Sequence, residues 1–318
     1  MSILEARSVS RSFVSRRGLL DLVMRRPPLA LKAVRGVDLS VQRGETLGIV
    51  GESGCGKSTL ARLMVGLYPC TEGDVALKGA SMQGPDPEGR IQMVFQDPYS
   101  SLNPRMTIGA LLSEAITRYR PKTTRADCAR EVAAGLQKVG LPADVAEKYP
   151  YALSGGQRQR ASIARALCPR PEILVADEPV SALDASVQAN IINLFEQLKK
   201  NDGITIVFIS HDMQVIAHLC DRVAVMYLGE VVELQETASL FEAPLHPYTK
   251  GLIAAVPRID RTQRERMPMD GEMPDPFNLP DGCRFAGRCP LAEEKCNQPQ
   301  VLRAVRGGMV RCWKAPIE

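Results

Sequence analysis

The chain has 318 residues, 45% hydrophobic and 24% charged, with a formal net charge of +4, the make-up of a globular protein with room for one core domain and appendages. No apolar run approaches the ~18 residues that would span a bilayer, and the polar–apolar alternation from Met1 to Phe13 is not that of a secretion signal. The reading is a cytoplasmic chain, and any membrane link it has must run through a partner. Part of the positive charge lies in Arg16-Arg17 and Arg25-Arg26, too sparse a set for a nucleic-acid face.

Taken in order, short strands are expected at 3–9 and 36–41, with 8–13 leading into a loop. Residues 14–32, with the paired arginines and Pro27-Pro28, read as an inserted, mobile loop. A strand over 45–50 enters Gly51-Glu52-Ser53-Gly54-Cys55-Gly56-Lys57-Ser58-Thr59, and a helix over 56–66 follows. Residues 73–77 and 91–95 are strand-like. Apolar residues then recur at helical spacing over 107–119 and 124–139, punctuated by Pro121, Gly140 and Pro142. This predicts a helical insert over about 97–152 within an α/β core. The core resumes with a helix at 156–167, the apolar strand 173–176 ending in Asp177-Glu178, a helix at 184–200 and a strand at 204–209. That βαβ rhythm implies a parallel sheet. Residues 222–227 and 230–234 read as a hairpin around Gly229, with short helices near 236–242 and 248–255. After Pro257 the composition shifts: 258–282 reads as a linker with little regular structure.

Gly51, Gly56, Lys57 and Ser58 fit the phosphate-loop spacing G-x-x-x-x-G-K-S/T. The glycines let backbone N–H groups turn inward around phosphate oxygens, and the following helix adds its positive end. Lys57 reaches the β- and γ-phosphates in such loops, and the Ser58 hydroxyl holds Mg²⁺. An Asp at the end of an apolar strand is the usual Mg²⁺ partner, which points to Asp177, and Glu178 is placed to polarise an attacking water. Ser154-Gly155-Gly156-Gln157 opens a helix: it is either an anion seat of exposed N–H groups or simply a good helix cap. His211 follows the apolar strand ITIVFIS at 204–210.

In order, GESGCGKST at 51–59, Gln96, LSGGQ at 153–157, ILVADEP at 173–179, SALD at 181–184 and His211 resemble the ATP-binding cassette family, the ATPase subunits of ABC transporters. The resemblance implies an α/β phosphate-loop NTPase with a mainly parallel core sheet, an antiparallel β subdomain, a helical insert and a Cys-rich C-terminal extension. The cassette would be 1–257 and the extension 258–318. It implies ATP and Mg²⁺ as ligands, with Gly51 to Thr59 around the phosphates and Phe13 stacking the adenine. Ser58 and Gln96 would ligate Mg²⁺ with Asp177 in its shell, Glu178 would be general base, and His211 would contact the γ-phosphate. Ser154, Gly155, Gly156, Gln157 and the Asp184 turn would serve the nucleotide of a second, like subunit, so that two chains sandwich two ATP molecules. Two membrane permeases would dock on the insert at the cytoplasmic face of the inner membrane, fed by an extracytoplasmic binding protein.

Gln96-Asp97-Pro98-Tyr99, His246-Pro247-Tyr248-Thr249-Lys250-Gly251-Leu252 and the Cys283-Arg284-Phe285…Arg288-Cys289-Pro290 tail resemble the oligopeptide/dipeptide importer branch, most of all the second of its two cassette subunits. Nickel, glutathione and opine importers share such cassettes. Where relatives often carry His-Glu before the signature, this chain has Tyr151-Ala152. Soluble cassette ATPases of DNA repair carry long coiled-coil insertions, and those of translation usually carry two cassettes; this chain has one phosphate loop and no such insertion.

The tail cysteines Cys283, Cys289, Cys296 and Cys312 are spaced C-x₅-C-x₆-C-x₁₅-C, without the close pairs of a zinc ribbon. Similar tails are associated with a 4Fe–4S cluster in some family members. Cluster, zinc, and a metal-free fold on Phe285, Leu291 and Trp313 all stand as readings.

Overall fold

The structure is a computed structural model and describes residues 2–14, 30–181, 183–256, 273–305 and 307–316, without the side chain of Ser100. The loop expected at 14–32 lies almost wholly outside the described residues, as does the greater part of the linker.

Two sheets carry the chain. In the first, β1 (Ser2–Val14), β2 (Ala30–Gln42), β4 (Glu72–Leu77) and β5 (Ala80–Ser81) lie antiparallel in the order β2-β1-β4-β5. β1 runs five residues past its expected end. Register shifts after Ala6, Val9 and Arg11 absorb the polar Ser-rich stretch, and the ladder continues through Phe13 opposite Leu31 and Val14 opposite Ala30.

The second sheet also contains β3 (Thr46–Val50), β6 (Ile91–Val94), β7 (Ile173–Asp177), β8 (Thr205–Ile209), β9 (Arg222–Tyr227), β10 (Glu230–Glu236), β11 (Arg303–Val305) and β12 (Gly308–Val310), in the order β11-β12-β10-β9-β3-β8-β7-β6. From β9 to β6 every pairing is parallel. β3, β7 and β8 are buried at every position, as strands covered on both faces must be. Alternate residues therefore serve two cores. Ile173, Val175, Val207 and Ile209 face the antiparallel sheet and helix α1 (Lys57–Met64). Leu174, Ala176, Ile206 and Phe208 face the opposite layer.

That opposite layer holds the insert and the helices that follow it. The insert is α2 (Pro98–Ser101), α3 (Ile108–Tyr119) and α4 (Arg125–Lys138) with two 3₁₀ turns. After it come α5 (Gly155–Leu167), α6 (Ala185–Asp202), α7 (Met213–Leu219), α8 (Thr237–Glu242) and α9 (Pro247–Ala254). Thr107, Thr124, Ser154, Asp184 and Asp212 each accept a first-turn backbone N–H, which satisfies donors a helix leaves open and sets where these helices begin.

The tail joins the second sheet, which nothing in its sequence signals. Its hairpin, two strands of three residues, adds to the edge of β10, with Glu233 opposite Val310 and Gln235 opposite Gly308. Strands this short carry no readable alternation. No helix among the described residues is long and apolar enough to cross a membrane.

Candidate functional site

Because β3, β6, β7 and β8 are parallel, their C-terminal ends lie along one edge, where ligands of open α/β sheets bind. The phosphate loop follows β3, Gln96 follows β6, Asp177 ends β7 with Glu178 next, and His211 follows β8. A cleft of about 260 Å³ opens there, lined by Phe13, Ser53, Gly54, Gly56, Lys57, Ser58, Thr59, Gln96 and Glu178. The structure thus brings together residues that the sequence spreads over 165 positions of chain from Phe13 to Glu178. Gly51, Glu52 and Cys55 form the rear of the loop; Cys55 is buried and its thiol is pushed up by burial.

Helix α1 starts on Gly56 with no side-chain cap. Its first N–H groups are therefore left for an anion. Lys57 is 4% exposed, and its ammonium donates to the carbonyls of Gly51 at 2.8 Å and Glu52 at 3.1 Å. The lysine is thus held inside the loop by the loop's own backbone.

Ser58 Oγ donates to Asp177 Oδ1 at 2.8 Å. Asp177 is 1% exposed, and its Oδ2 has no hydrogen-bond partner among the described residues. Burial holds its carboxyl above the ordinary carboxylate range, against the Ser58 hydrogen bond and the nearby Arg62. A buried carboxylate with an orphaned oxygen beside a hydroxyl fits a hard cation with oxygen ligands.

Glu178 is where the polar groups converge. Its Oε2 accepts from Gln96 Nε2 at 3.0 Å and lies 3.4 Å from His211 Nδ1, and its Oε1 lies 3.9 Å from Lys57 Nζ. Its backbone has φ 46°, a left-handed conformation that is strained for a side chain of this kind. The N–H donates to Ile209 O at 3.0 Å and the C=O accepts from Ser181 Oγ at 3.1 Å, so both neighbours hold the strained turn in place.

The signature residues lie elsewhere. None of Ser154, Gly155, Gly156, Gln157 or Asp184 is among the described residues that line the cleft. Ser154 and Gln157 form a reciprocal capping box at the start of α5, and Asp184 caps α6 by accepting from Val187 N at 2.9 Å and Ser186 Oγ at 2.7 Å. Within one chain the cap description of these residues holds.

The tail supplies residues to the site that local pattern did not flag. Pro276 and Leu279 line the same cleft, although 258–282 read as a plain linker. Arg288 is paired with Glu52 of the phosphate loop. Tyr248, which lies within the His246–Leu252 motif, accepts the Glu52 N–H on its hydroxyl at 2.9 Å.

Cys283, Cys289, Cys296 and Cys312 do converge, but on an apolar cavity of about 20 Å³ shared with Phe285, Leu291 and Trp313. Cys296 Sγ accepts from Trp313 Nε1 at 3.3 Å, and burial pushes the Cys283 thiol up to about 11 and raises Cys289. No group of ligating side chains among the described residues is arranged to hold a metal ion. The 4Fe–4S reading is not supported: so small an apolar space among the four cysteines suits side-chain packing, with no room for a cluster of thiolate-bound irons.

Residues 34–181 match the family model for the ABC transporter, and 232–296 match that for the oligopeptide/dipeptide transporter C-terminal region. The oligopeptide transport ATP-binding protein OppF of Salmonella typhimurium is 47% identical over 91% of this chain and 89% of its own length. The oligopeptide transport ATP-binding protein AppF of Bacillus subtilis is 46% identical over 98% of this chain and 97% of its own. Among solved structures, a dimeric ATP-binding cassette in a post-hydrolysis state with ADP and Pi superposes with a TM-score of 0.64 at 28% identity, covering 74% of this chain and 98% of that one. With the phosphate loop, the Asp177–Ser58 pair and Glu178 gathered at one sheet edge, and with relatives this similar over nearly the whole length, this chain belongs to the ATP-binding cassette family of transporter ATPases.

Proposed function

We propose that this chain is the ATP-hydrolysing subunit of a membrane importer for di- and oligopeptides, acting as a dimer of cassettes peripheral to the cytoplasmic face of the inner membrane. The observation that carries the chemistry is the convergence of Lys57, Gln96 and His211 on the Glu178 carboxylate at the mouth of the phosphate-loop cleft. The peptide cargo rests on the names of the relatives and on the match of the C-terminal region.

In this reading the free N–H groups of the loop and Lys57 bind the phosphates, and Phe13 stacks the adenine. Ser58, Gln96 and Asp177 would hold Mg²⁺, which when bound would offset the charge of the phosphates. Glu178 orients a water and takes its proton as the water oxygen bonds to Pγ; the bond from Pγ to the bridging oxygen breaks and ADP leaves with the electron pair. Gln96 and His211 keep that carboxylate aimed. Ser154 to Gln157, remote from the cleft of their own chain, close the cleft of a second cassette, and the Asp184 turn meets its nucleotide. The insert over 97–152 receives the permeases. Cells that need a peptide for growth test this. With the chain present they take up a labelled tripeptide, and two multi-span permeases co-purify with it; uptake unchanged after its deletion would reject the cargo.

Asp177 gives a separate test. Its folded-state carboxyl is raised by burial, so the folded chain binds that proton more tightly than the unfolded one. The matching stability is complete below the ordinary carboxylate pKa and is lost as pH rises through the raised value. At neutral pH the buried charge is a cost. Asp177→Asn is therefore expected to raise the melting temperature of the nucleotide-free chain, by about 2 °C, and to remove the further rise that ATP with Mg²⁺ produces. A lower nucleotide-free melting temperature, or an undiminished Mg²⁺-dependent rise, in differential scanning calorimetry would sink the assignment.

A further inference from the structure

The phosphate loop is gripped from behind by the C-terminal part of the chain, and the grip centres on Glu52. The Arg288 guanidinium forks onto the Glu52 carboxylate at 2.8 and 3.2 Å, across 236 positions of sequence. The Tyr248 hydroxyl accepts the Glu52 N–H at 2.9 Å. Glu52 O in turn accepts from Lys57, the lysine that faces the cleft. Glu52 is therefore fixed at its side chain, its N–H and its carbonyl.

The residues that make this grip are themselves rigid. Tyr248 packs on Tyr227 at 4.7 Å between ring centroids, and Phe285 packs on Tyr227 at 5.3 Å and on Tyr248 at 5.4 Å. Arg284 donates to Leu228 O and lies 3.6 Å from Glu230. Arg288 has a 9% exposed side chain and also reaches Tyr227 Oη at 3.5 Å. The first residue after Gly51 is thus locked to the tail by a bidentate, charge-assisted pair on a buried aromatic base, a geometry that Lys cannot reproduce. The pairing holds Arg288 firmly protonated.

We propose that Arg288 is a positioning residue for nucleotide binding: by neutralising and holding Glu52 it keeps a carboxylate in the phosphate loop from repelling the triphosphate, so that the C-terminal tail sets the affinity of the cleft for ATP. Without Arg288, Glu52 is an unpaired negative charge in a loop built to take four more from ATP, and like charges in a partly enclosed site oppose one another. The sign of the consequence is specific. Losing the arginine weakens ATP binding, and losing the glutamate as well relieves it. A merely structural role predicts the opposite order, with two lesions worse than one.

The test is equilibrium binding of mant-ATP with Mg²⁺ to the full chain. Arg288→Gln is expected to weaken binding about tenfold, the scale of a lost charge-assisted pair, and the double variant Arg288→Gln with Glu52→Gln to bind tighter than Arg288→Gln by itself. Parent-like affinity in Arg288→Gln, or a double variant no tighter than the single, overturns the proposal. The unmodified chain offers a second measurement that needs no variant. Coupling is reciprocal, so ATP with Mg²⁺ is expected to slow hydrogen exchange at the amides of Ala286, Arg288 and Cys289, which donate within the tail turn; unchanged exchange there overturns the proposal too. The inference rests on the phosphate-loop reading, and Lys57→Ala keeps the two apart: if the parent and Lys57→Ala bind mant-ATP equally, it is that reading which fails.

Discussion

Glu178→Gln is expected to leave ATP bound and to stop turnover. Glutamine keeps the shape and one oxygen of glutamate, so it can still accept from Gln96 Nε2, the contact seen at 3.0 Å. What it lacks is the ability to take a proton from water, and the charge that faces Lys57 and His211. Among the described residues no other carboxylate lines the cleft. Asp177 is buried, engaged with Ser58 and held toward its neutral form by burial, and His211 Nδ1 lies 3.4 Å from the Glu178 carboxylate as its partner. Loss of a positioned general base costs roughly 10²–10⁴-fold in rate. Phosphate release under single-turnover conditions reads the loss directly, and parent-like release would remove Glu178 from the mechanism. The same variant tests the assembly. With ATP held and not cleaved, the cassette sandwich cannot reopen by hydrolysis. Light scattering is then expected to report twice the mass of one chain in ATP with Mg²⁺ and a single chain without it. A single chain in both conditions would mean that Ser154 to Gln157 do not close a neighbour's cleft.

Gly51→Ala is the second large effect, and it separates two reasons for a glycine in this loop. Gly51 has φ 152°, and a Cβ built there would lie 2.2 Å from Met226 O and 2.7 Å from Cys55 Sγ. The carbonyl belongs to β9, hydrogen-bonded to β3 in the middle of the sheet, so it cannot give way. The loop must move instead, and with it Lys57, whose ammonium is held by Gly51 O. Loss of roughly 2–4 kcal/mol of stability and at least about a hundredfold in ATP affinity is expected. Gly54 is the control in the same loop. It has φ 79° with nothing within 4 Å of an added Cβ, so Gly54→Ala meets backbone strain only, about 1 kcal/mol. Thermal melts and mant-ATP titrations of the two variants order them. Equal effects at the two positions would show that the collision with Met226 does not matter.

The strand at 45–50, the glycine loop, the acidic end of 173–177 and the histidine after 204–210 were legible because each is written in local chemistry: an apolar run, a turn residue, a charge at the run's end. The parallel sheet followed from the βαβ rhythm, and parallel strands put those ends on one edge. Phe13 was placed in the cleft by resemblance, and it lines it. The cysteine spacing, by contrast, was open to three readings, since spacing records which thiols can meet and says nothing of the room between them.

The residues by themselves determined which groups could bind phosphate, hold a cation and accept a proton, and that they would sit where buried strands end. Tertiary structure alone decided which of these groups touch. The left-handed turn that aims Glu178 at Gln96 and His211, the Met226 carbonyl behind Gly51, and the hold of Arg288 on Glu52 all join segments far apart in the chain. Such contacts depend on strand order and on which edge of the sheet the tail joins. Hydrophobic periodicity tells a strand that it is buried and does not tell it which neighbour it will have.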